Sequence, residues 1–240
     1  MKYIGRLTLY AIIFWLTLSV GYVLAMRFVP VTITPLKIEK LFENRPETPF
    51  RVRSEWTALG NINPSLTRAV IATEDNFFLA HRGFDWKSIQ KAIDHNKRGG
   101  KVRGASTISQ QTAKNVFCRP ARTWIRKGFE TYYTVLIEAL WSKRRIMEVY
   151  LNVIEVGPNV YGAGSAARLH FKKDAAELNV YDSSLIATVL PNPIRMKLAA
   201  PSSYMLRRAT QVRALMRASL EPDFDDRTKI TEQYEKYKRK

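Results

Sequence analysis

Apolar residues form one long uninterrupted run at the N-terminus and recur mostly at helical spacing from about residue 52 onward. The first run, residues 7–26, contains 20 residues without a charged side chain. A helix of that length spans about 30 Å, the thickness of a bilayer core. Later segments repeat apolar residues every three or four positions, which is the spacing of one helical face. These segments are 65–78, 84–98, 106–117, 123–141, 142–157, 182–190 and 204–220. Few segments alternate with period two, so the pattern predicts a mainly α fold.

The N-terminal run is predicted to be an uncleaved transmembrane helix at about residues 7–26. Lys2 and Arg6 precede the run and Arg27 follows it. Positive charge before the run favours a cytoplasmic N-terminus and an exported body. The alternative is a cleaved signal peptide, with VLA at 23–25 as its cleavage site, but the apolar region of a signal peptide is normally only about 7–15 residues long. The length of the run therefore favours an anchor.

Composition and proline content divide the chain into four parts. Residues 1–28 form the predicted anchor, and residues 29–51 form a connector that contains four prolines. Because proline interrupts regular structure, the connector is expected to begin as extended chain and to continue as variable structure. Residues 52–220 carry the helical periodicity and form the predicted main domain. Residues 221–240 form a polar, basic tail that is expected to fray.

The charge of the chain predicts a polyanionic partner. The sequence has 39 Lys and Arg against 21 Asp and Glu, a net charge of +18. Nucleic acid, an anionic membrane and a phosphorylated substrate all fit such an excess. An exported body argues against nucleic acid and favours lipid headgroups and lipid phosphates. Cys118 is the only cysteine, so an internal disulfide is impossible, and the three histidines form no recognisable zinc motif.

The first chemically informative segment is ATEDNFFLAHRGFD, which begins at residue 72. If the helix continued through it, Glu74, Phe78 and His81 would share one face. An apolar neighbour raises the pKa of a carboxyl group toward the range in which it accepts protons near neutral pH. Glu74 is therefore a candidate general base. The alternative is a structural ion pair with Arg68 or Arg82.

The second segment, GASTISQQTAKN, predicts a helix start that can hold an anion. Ser106 or Thr107 can cap the helix, and Gln110 stands three residues after Thr107 in the capping-box position. A capped helix N-terminus binds anions through its free amides. The amides and the ammonium of one helical face suit sugar hydroxyls and phosphate oxygens; they belong to Gln110, Gln111, Lys114 and Asn115. A simple polar helix face is the alternative.

The third segment, RKGFE, places Arg126 and Lys127 one helical turn before Glu130. Exposed salt bridges would have this spacing and would contribute only tenths of a kcal/mol. The functional alternative is a carboxylate held by cations that also face a phosphate.

The fourth segment, KRRIMEVYLNVIEVG, is interpreted mostly as scaffolding. Glu148 and Asn152 share a helical face, and apolar side chains fill the positions between them. Glycines 157, 162 and 164 follow and allow close backbone approach.

Taken together, these segments resemble the peptidoglycan glycosyltransferases, the transglycosylases of the penicillin-binding-protein type. The match is closest to the monofunctional, membrane-anchored branch of Gram-negative bacteria and runs from about residue 60 to 216. Five signatures occur in order, with Met147 and Arg213 as departures at packing positions. The matching residues are Glu74, Asp75, Phe78, His81 and Gly83; Gly104, Ser106, Thr107, Gln110, Gln111, Lys114 and Asn115; Arg126, Lys127 and Glu130; Lys143, Ile146, Glu148, Tyr150, Leu151 and Asn152; and Arg208, Val212 and Met216.

The resemblance implies a lysozyme-like helical domain and a specific reaction. A growing lipid-linked glycan would be transferred to the 4-hydroxyl of lipid II, forming a β-1,4 bond with inversion and releasing undecaprenyl pyrophosphate. Glu74 would be the general base and Glu130 a second functional carboxylate, with Lys114, Arg126 and Lys127 at the pyrophosphate. The resemblance assigns the other matched residues to the substrate-binding surface, namely Asp75, Phe78, His81, Gly83, Ser106, Thr107, Gln110, Gln111 and Asn115. It assigns structural roles to Gly104, Glu148, Tyr150 and Asn152.

The resemblance also implies a location and a set of partners. The protein would be a single-pass protein of the bacterial inner membrane, with a periplasmic catalytic domain that binds lipid II and lipid-linked glycan. It leaves open an association with cell-wall synthesis or cell-division proteins. The need for a divalent cation stays open: Mg²⁺ or Mn²⁺ bridging pyrophosphate oxygens to Glu74 or Glu130 is chemically reasonable, but the sequence shows no metal-binding motif. Four apolar side chains are expected at the lipid interface, those of Val116, Phe117, Trp124 and Ile125.

Three alternatives remain open at this point. A lytic transglycosylase or hydrolase would share the fold but would need no basic pyrophosphate site. A bifunctional synthase would need SxN and KTG-type motifs, and the sequence contains neither. A non-catalytic membrane scaffold would bind anionic lipid and tolerate the loss of Glu74.

Overall fold

The computed structural model describes residues 2–42, 52–99, 104–121, 123–219, 221–225, 231, 232, 235 and 239. The α-helices of this part of the chain are α1 (Lys2–Ala25), α2 (Pro35–Phe42), α3 (Pro64–Glu74), α4 (Trp86–Lys97), α5 (Ile108–Phe117), α6 (Trp124–Leu140), α7 (Lys143–Val153), α8 (Ala163–Ala166), α9 (Val180–Val189) and α10 (Ser203–Ala218). The strands are β1 (Arg53–Ser54), β2 (Glu155–Gly157) and β3 (Val160–Tyr161). The predicted mainly α class is confirmed. The second half of the predicted connector (43–51), residues 100–103 and most of the predicted tail lie outside the described residues.

Short polar side chains determine where most of these helices begin. In each case an oxygen of the residue before the helix accepts a hydrogen bond from an amide of the first turn. The capping residues are Asn63, Asp85, Thr107, Thr123, Ser142, Asn179 and Ser202. Each such cap contributes about 1 kcal/mol relative to alanine.

Two groups of helices enclose one core. In the first, α5 packs against both α6 and α7; in the second, α3 packs against α9 and α10. The continuous buried cluster takes Ile108 from α5, Tyr150 from α7 and Leu66 from α3. The three strands form a small sheet in the order β1-β3-β2, in which β1 runs parallel and β2 antiparallel to β3. Glu74, the last residue of α3, and Gln111 of α5 meet where these two helices approach each other.

The expectation of extended and variable structure after the anchor is wrong for residues 35–42, which form α2. Pro35 occupies the first helical position, where its missing amide hydrogen costs nothing. The Thr34 hydroxyl accepts a hydrogen bond from the Lys37 amide at 3.3 Å. The buried Lys37 ammonium donates to the Thr32 carbonyl at 3.1 Å and to the Ser54 hydroxyl at 2.6 Å. Burial lowers the pKa of Lys37 to about 8. These contacts with strand β1 fix α2 to the main domain.

The expectation that Glu74, Phe78 and His81 share a helical face is also wrong. Helix α3 ends at Glu74, and the next residue, Asp75, has φ −161°, which is extended. The Asp75 carboxylate accepts hydrogen bonds from the ring of His81 and from the backbone amide of Ile108. Because these long-range bonds need Asp75 outside a helix, they override the local helical periodicity.

Helix α1 is long and apolar enough to cross a membrane over residues 3–25. Its last half contacts the main domain. The Trp15 ring lies 5.2 Å from the Tyr132 ring, and the Ser19 and Tyr132 hydroxyls are 2.6 Å apart. The Trp141 indole donates to the Val23 carbonyl at 2.8 Å. These contacts hold the end of α1 against α6.

The four apolar side chains expected at a lipid interface separate into two pairs. Val116 is buried, and the Phe117 ring stacks on Tyr133 with 4.5 Å between ring centroids. Trp124 and Ile125 are 91% and 75% exposed. The interfacial prediction is therefore wrong for Val116, which belongs to the packed interior. It stays a prediction for Phe117, which is half-buried, and for the exposed Trp124 and Ile125.

Candidate active site

Glu74 is the last residue of α3. Its carboxylate faces an open cavity of about 770 Å³, whose lining includes Ser106 and Gln111. The Gln111 amide nitrogen donates to Glu74 Oε2 at 2.9 Å. Withdrawal from water raises the pKa of Glu74, and the neighbouring Asp75 carboxylate raises it further. The Gln111 hydrogen bond, Lys114 and Arg208 act in the opposite direction. The result is a proton acceptor that is stronger than an ordinary surface glutamate.

A buried tyrosine orients the Gln111 amide. The Tyr150 hydroxyl donates to Gln111 Oε1 at 3.4 Å, which turns the Gln111 nitrogen toward Glu74. Tyr150 is fully buried, and burial raises its pKa well above the usual value, so it stays protonated as a donor. Arg68, one of the two arginines considered as ion-pair partners of Glu74, instead donates to the Ser219 carbonyl at 2.9 Å.

Asp75 and His81 form a buried pair behind Glu74. His81 Nε2 lies 2.8 Å and 2.9 Å from the two Asp75 oxygens. The Gly83 amide donates to His81 Nδ1 at 3.1 Å, so the ring proton is assigned to Nε2, which points at Asp75. Asp75 Oδ2 also accepts from the Ile108 amide at 3.0 Å. The pair therefore connects the end of α3 to the start of α5 and keeps Glu74 and Gln111 within hydrogen-bonding distance.

The start of α5 forms the predicted capping box. The Thr107 hydroxyl accepts from the Gln110 amide at 3.1 Å, and Gln110 Oε1 accepts from the Thr107 amide at 3.0 Å. The Thr107 hydroxyl donates in turn to the Gly83 carbonyl at 2.6 Å. Gln110 is buried, so it does not belong to the open polar face predicted for this helix. Gly104, Ser106 and Thr107 line the cavity beside Glu74.

Gly83 occupies a backbone conformation that other residues rarely adopt. Its φ is +88°, and a Cβ there would lie 2.9 Å from Thr134 Cγ2 and 3.0 Å from Glu138 Cγ. Gly83→Ala is expected to destabilise the fold by about 1–3 kcal/mol because the positive φ and the close contacts both oppose it. Thermal unfolding of the purified variant measures this. Gly60→Ala is the matched control, since a Cβ at Gly60 meets nothing within 4 Å; equal melting temperatures for the two variants would contradict the prediction.

A cationic cluster surrounds the second carboxylate. Glu130 is buried, and its two oxygens bind different partners: Arg126 at 2.6 Å and the Lys127 ammonium. Arg126 also lines a pocket together with Lys114 and Asn115. Glu130 therefore positions two cations that remain partly open to solvent, an arrangement that fits both interpretations of RKGFE.

Lys114 links this cluster to Glu74. It lies one turn after Gln111 on α5, and it interacts electrostatically with both Glu74 and Glu130. The Lys114 side chain remains in contact with solvent, yet the surrounding protein removes water from its ammonium and lowers its pKa. Arg126 and Lys127 lower the pKa further, while Glu130 and Glu74 raise it. An anion entering this pocket would replace the missing water and favour the charged ammonium.

A second, partly buried network connects α5, α6 and α7 next to the site. The Lys143 ammonium donates to Glu138 Oε1 at 2.7 Å and lies 4.5 Å from the centre of the buried Phe78 ring. Ser109, at the start of α5, donates to the same Glu138 oxygen. Phe78 therefore lies in the core instead of facing the cavity. Sequence reasoning quoted Lys143 but missed Glu138 and Ser109, because neither belongs to a recognised motif.

Glu148 and Asn152 have structural contacts, as predicted. Glu148 Oε1 accepts from the Leu59 amide at 3.0 Å. Asn152 bonds both backbone groups of Thr57, at 2.7 Å and 2.8 Å. Together they attach the segment before α3 to α7.

The described residues contain no group of three or more His, Cys, Asp or Glu side chains that could hold a metal ion. A divalent cation bridged to Glu74 or Glu130 would therefore lack a cage built from these side chains in the described part of the chain.

The helical domain holds a desolvated carboxylate, Glu74, near a cluster of cations, and this arrangement is typical of an enzyme active site. The comparisons with known proteins give the family. The transglycosylase family model matches residues 42–217, and the chain belongs to this family. It is therefore a glycosyltransferase of lysozyme-like fold that acts in peptidoglycan synthesis.

Relatives from distant bacteria are similar over most of their length. The chain is 48% identical to a Bdellovibrio bacteriovorus protein over 203 residues, covering 84% of this chain and 81% of the relative. It is 46% identical to a Bacteroides thetaiotaomicron protein over 225 residues, covering 93% and 90%. It is 48% identical to a Shewanella oneidensis protein over 200 residues, covering 83% and 85%. Each of these proteins is named a biosynthetic peptidoglycan transglycosylase.

Proposed function

We propose that this transglycosylase polymerises glycan chains from lipid II. The growing lipid-linked glycan is the donor, and the 4-hydroxyl of lipid II attacks it. A β-1,4 bond forms with inversion, and undecaprenyl pyrophosphate leaves. The observation that carries the proposal is the position of Lys114 one helical turn from Gln111, the residue that bonds Glu74. A proton acceptor and an anion site are thus adjacent on a single helix.

Glu74 is the general base in this proposal. A sugar hydroxyl is a weak nucleophile and needs a base, and a carboxylate with a raised pKa accepts its proton near neutral pH. Inversion needs only one such base, on the face of the sugar opposite the leaving group. The raised pKa and the hydrogen bond from Gln111 support the assignment.

Lys114, Arg126 and Lys127 are proposed to stabilise the departing pyrophosphate. Pyrophosphate is already a good leaving group, so neutralisation of its charge matters more than protonation. Glu130 holds Arg126 and Lys127 in position and does not itself transfer a proton. Asp75, His81, Thr107 and Gln110 act indirectly, by holding α3 and α5 in position. Ser106 and Gln111 contact the sugars, and Asn115 lines the cationic pocket for the pyrophosphate.

The surroundings of the site are proposed to be a membrane surface. Helix α1 anchors the protein in the inner membrane, with its N-terminus in the cytoplasm and residues 52–220 as a periplasmic catalytic domain. The exposed Trp124 and Ile125 lie at the lipid interface. No transpeptidase activity is expected, since the sequence lacks SxN and KTG motifs.

The experiment that tests this proposal is polymerisation of purified lipid II by the full-length protein in detergent. Formation of long, lysozyme-sensitive glycan with release of polyprenyl pyrophosphate is expected. Binding of lipid II without any polymer under all conditions would favour a non-catalytic scaffold. Degradation of finished glycan without synthesis would favour a lytic enzyme.

The pH dependence of polymerisation is expected to be bell-shaped. Glu74 must be deprotonated, so activity falls as the pH drops through its pKa, which desolvation and Asp75 raise above the ordinary value of 4.5. Lys114 must be protonated, so activity falls as the pH rises through its pKa, which desolvation, Arg126 and Lys127 lower below the ordinary value of 10.5. Initial rates measured across pH check both limbs.

The Lys114→Arg variant is the control for this profile. Its guanidinium stays charged across the range, so the alkaline limb should move upward while the acid limb stays in place. If the alkaline limb stayed in place, deprotonation of Lys114 would not be the cause of the loss of activity at high pH.

A further inference from the structure

Helix α2 and the C-terminal end of α5 enclose two neighbouring cavities. The first, of about 500 Å³, is lined by Lys114, Asn115, Arg119 and Arg126, with Leu36 of α2 on its edge. The second, of about 600 Å³, is lined by Pro35, Ile38, Glu39 and Phe42 of α2, and again by Arg119. We call the second cavity the α2 groove. Arg119 lies at the boundary between the two.

The two cavities have opposite chemical character. Three cations face the first cavity, those of Lys114, Arg119 and Arg126. The α2 groove is walled mainly by apolar side chains, among which Ile38 and Phe42 are 44% and 82% exposed. Large apolar side chains exposed side by side mark an interaction surface. An amphiphile with a polyanionic head and an aliphatic tail fits the pair of cavities.

The groove is built into the main domain and lies near the membrane anchor. Lys37 fixes α2 to strand β1, and Val31 is buried in the main core, so the groove is preformed. Helix α2 starts only a short segment after α1 ends. Arg145 holds that segment by donating to the Met26 carbonyl at 2.8 Å and to the Val29 carbonyl. The groove therefore opens close to the point where α1 meets the domain.

The geometry points to a polyprenyl-binding site: the α2 groove holds the first isoprene units of the lipid-linked donor whose pyrophosphate occupies the adjacent cationic pocket. This inference rests on the proposed function, because it assigns a place to the lipid part of the same substrate. Charge complementarity orients the ligand. Arg119 and Arg126 attract the pyrophosphate, so the prenyl tail of the ligand extends into the apolar α2 groove. Along α5, Gln111 lies beside Glu74, Lys114 follows one turn later, and the end of the helix lies near the groove.

Equilibrium binding of two prenyl pyrophosphates to the full-length protein in detergent tests the inference. Dimethylallyl pyrophosphate carries one isoprene unit and geranylgeranyl pyrophosphate carries four, so only the second can fill the groove. The parent should bind the longer compound at least about 30-fold more tightly, and the Ile38→Ser/Phe42→Ser variant should reduce this ratio about tenfold by removing apolar contact area. Affinity for the shorter compound should not change. Arg119→Gln should lower the affinity for both compounds by a similar factor.

Leu41→Ser is the matched control. Leu41 belongs to α2 and is 45% exposed, comparable to Ile38, yet it does not line the groove. It should leave the ratio unchanged. An equal reduction by Leu41→Ser would show that α2 contacts detergent or bilayer generally, and an unchanged ratio in the double variant would likewise overturn the inference. Polymerisation of lipid II is measured separately on the parent, so failure of the proposed function and failure of the groove give different results.

Discussion

Replacing Glu74 by glutamine is expected to lower the turnover of lipid II polymerisation by about 10²–10⁴-fold, the usual contribution of a positioned general base. Glutamine keeps the size of the side chain and can still meet the Gln111 amide after a rotation of its own amide. It has no basic oxygen that could take the proton of the attacking hydroxyl. The effect should therefore appear in kcat and leave the affinity for lipid II nearly unchanged.

Initial polymerisation rates and direct binding of lipid II, measured on the same preparation, separate these two effects. Glu55→Gln is a suitable control, since Glu55 forms an exposed ion pair with Arg168 at 2.9 Å, and such pairs contribute little. Its turnover should equal that of the parent. A Glu74→Gln variant that retained more than about a tenth of the parental turnover would remove Glu74 from the chemical step.

Local sequence signals predicted the helices of the main domain well. Thr107 and Gln110 form the capping box that their spacing indicated, because both bonds lie within one helical turn. The end of α3 was missed because Asp75 bonds Ile108, which is 33 residues away. Helix α2 was missed for a similar reason, since Lys37 is fixed by Ser54 on a neighbouring strand. Contacts of that kind leave no periodic pattern in the sequence.

The site shows the same division between local and distant information. Motif resemblance selected Glu74, Gln111 and Tyr150, but it gave them separate roles. In the structure two successive hydrogen bonds connect them: Tyr150 orients the Gln111 amide, and Gln111 donates to Glu74. Ser109 and Glu138 had no such signal, because α5, α6 and α7 bring them together with Lys143 only in the folded protein. The sequence thus predicts which residues belong to the site, whereas the tertiary fold determines which of their side chains contact each other.

The second large effect is expected for Lys114→Gln, which should lower kcat/KM by about 10²–10³-fold, the loss typical of removing one preorganised group that stabilises transition-state charge. The Lys114 ammonium is partly desolvated, yet it forms no ion pair with any described residue. The nearby Glu130 carboxylate is instead bound by Arg126 and Lys127. The protein therefore keeps its ammonium available for an incoming anion. Loss of this charge should also weaken inhibition by inorganic pyrophosphate, a readout that a purely structural lysine would not change.

Steady-state kinetics with lipid II and inhibition by pyrophosphate measure both consequences. Lys197→Gln is the matched control because Lys197 is exposed and lies outside the cationic cluster. Lys114→Arg should recover part of the activity, since it restores the charge with a different geometry. If Lys114→Gln reduced kcat/KM while pyrophosphate inhibition stayed at the parental value, the leaving group would be stabilised elsewhere. Stabilisation of the leaving group would then be assigned to Arg119 and Arg126, which line the same pocket.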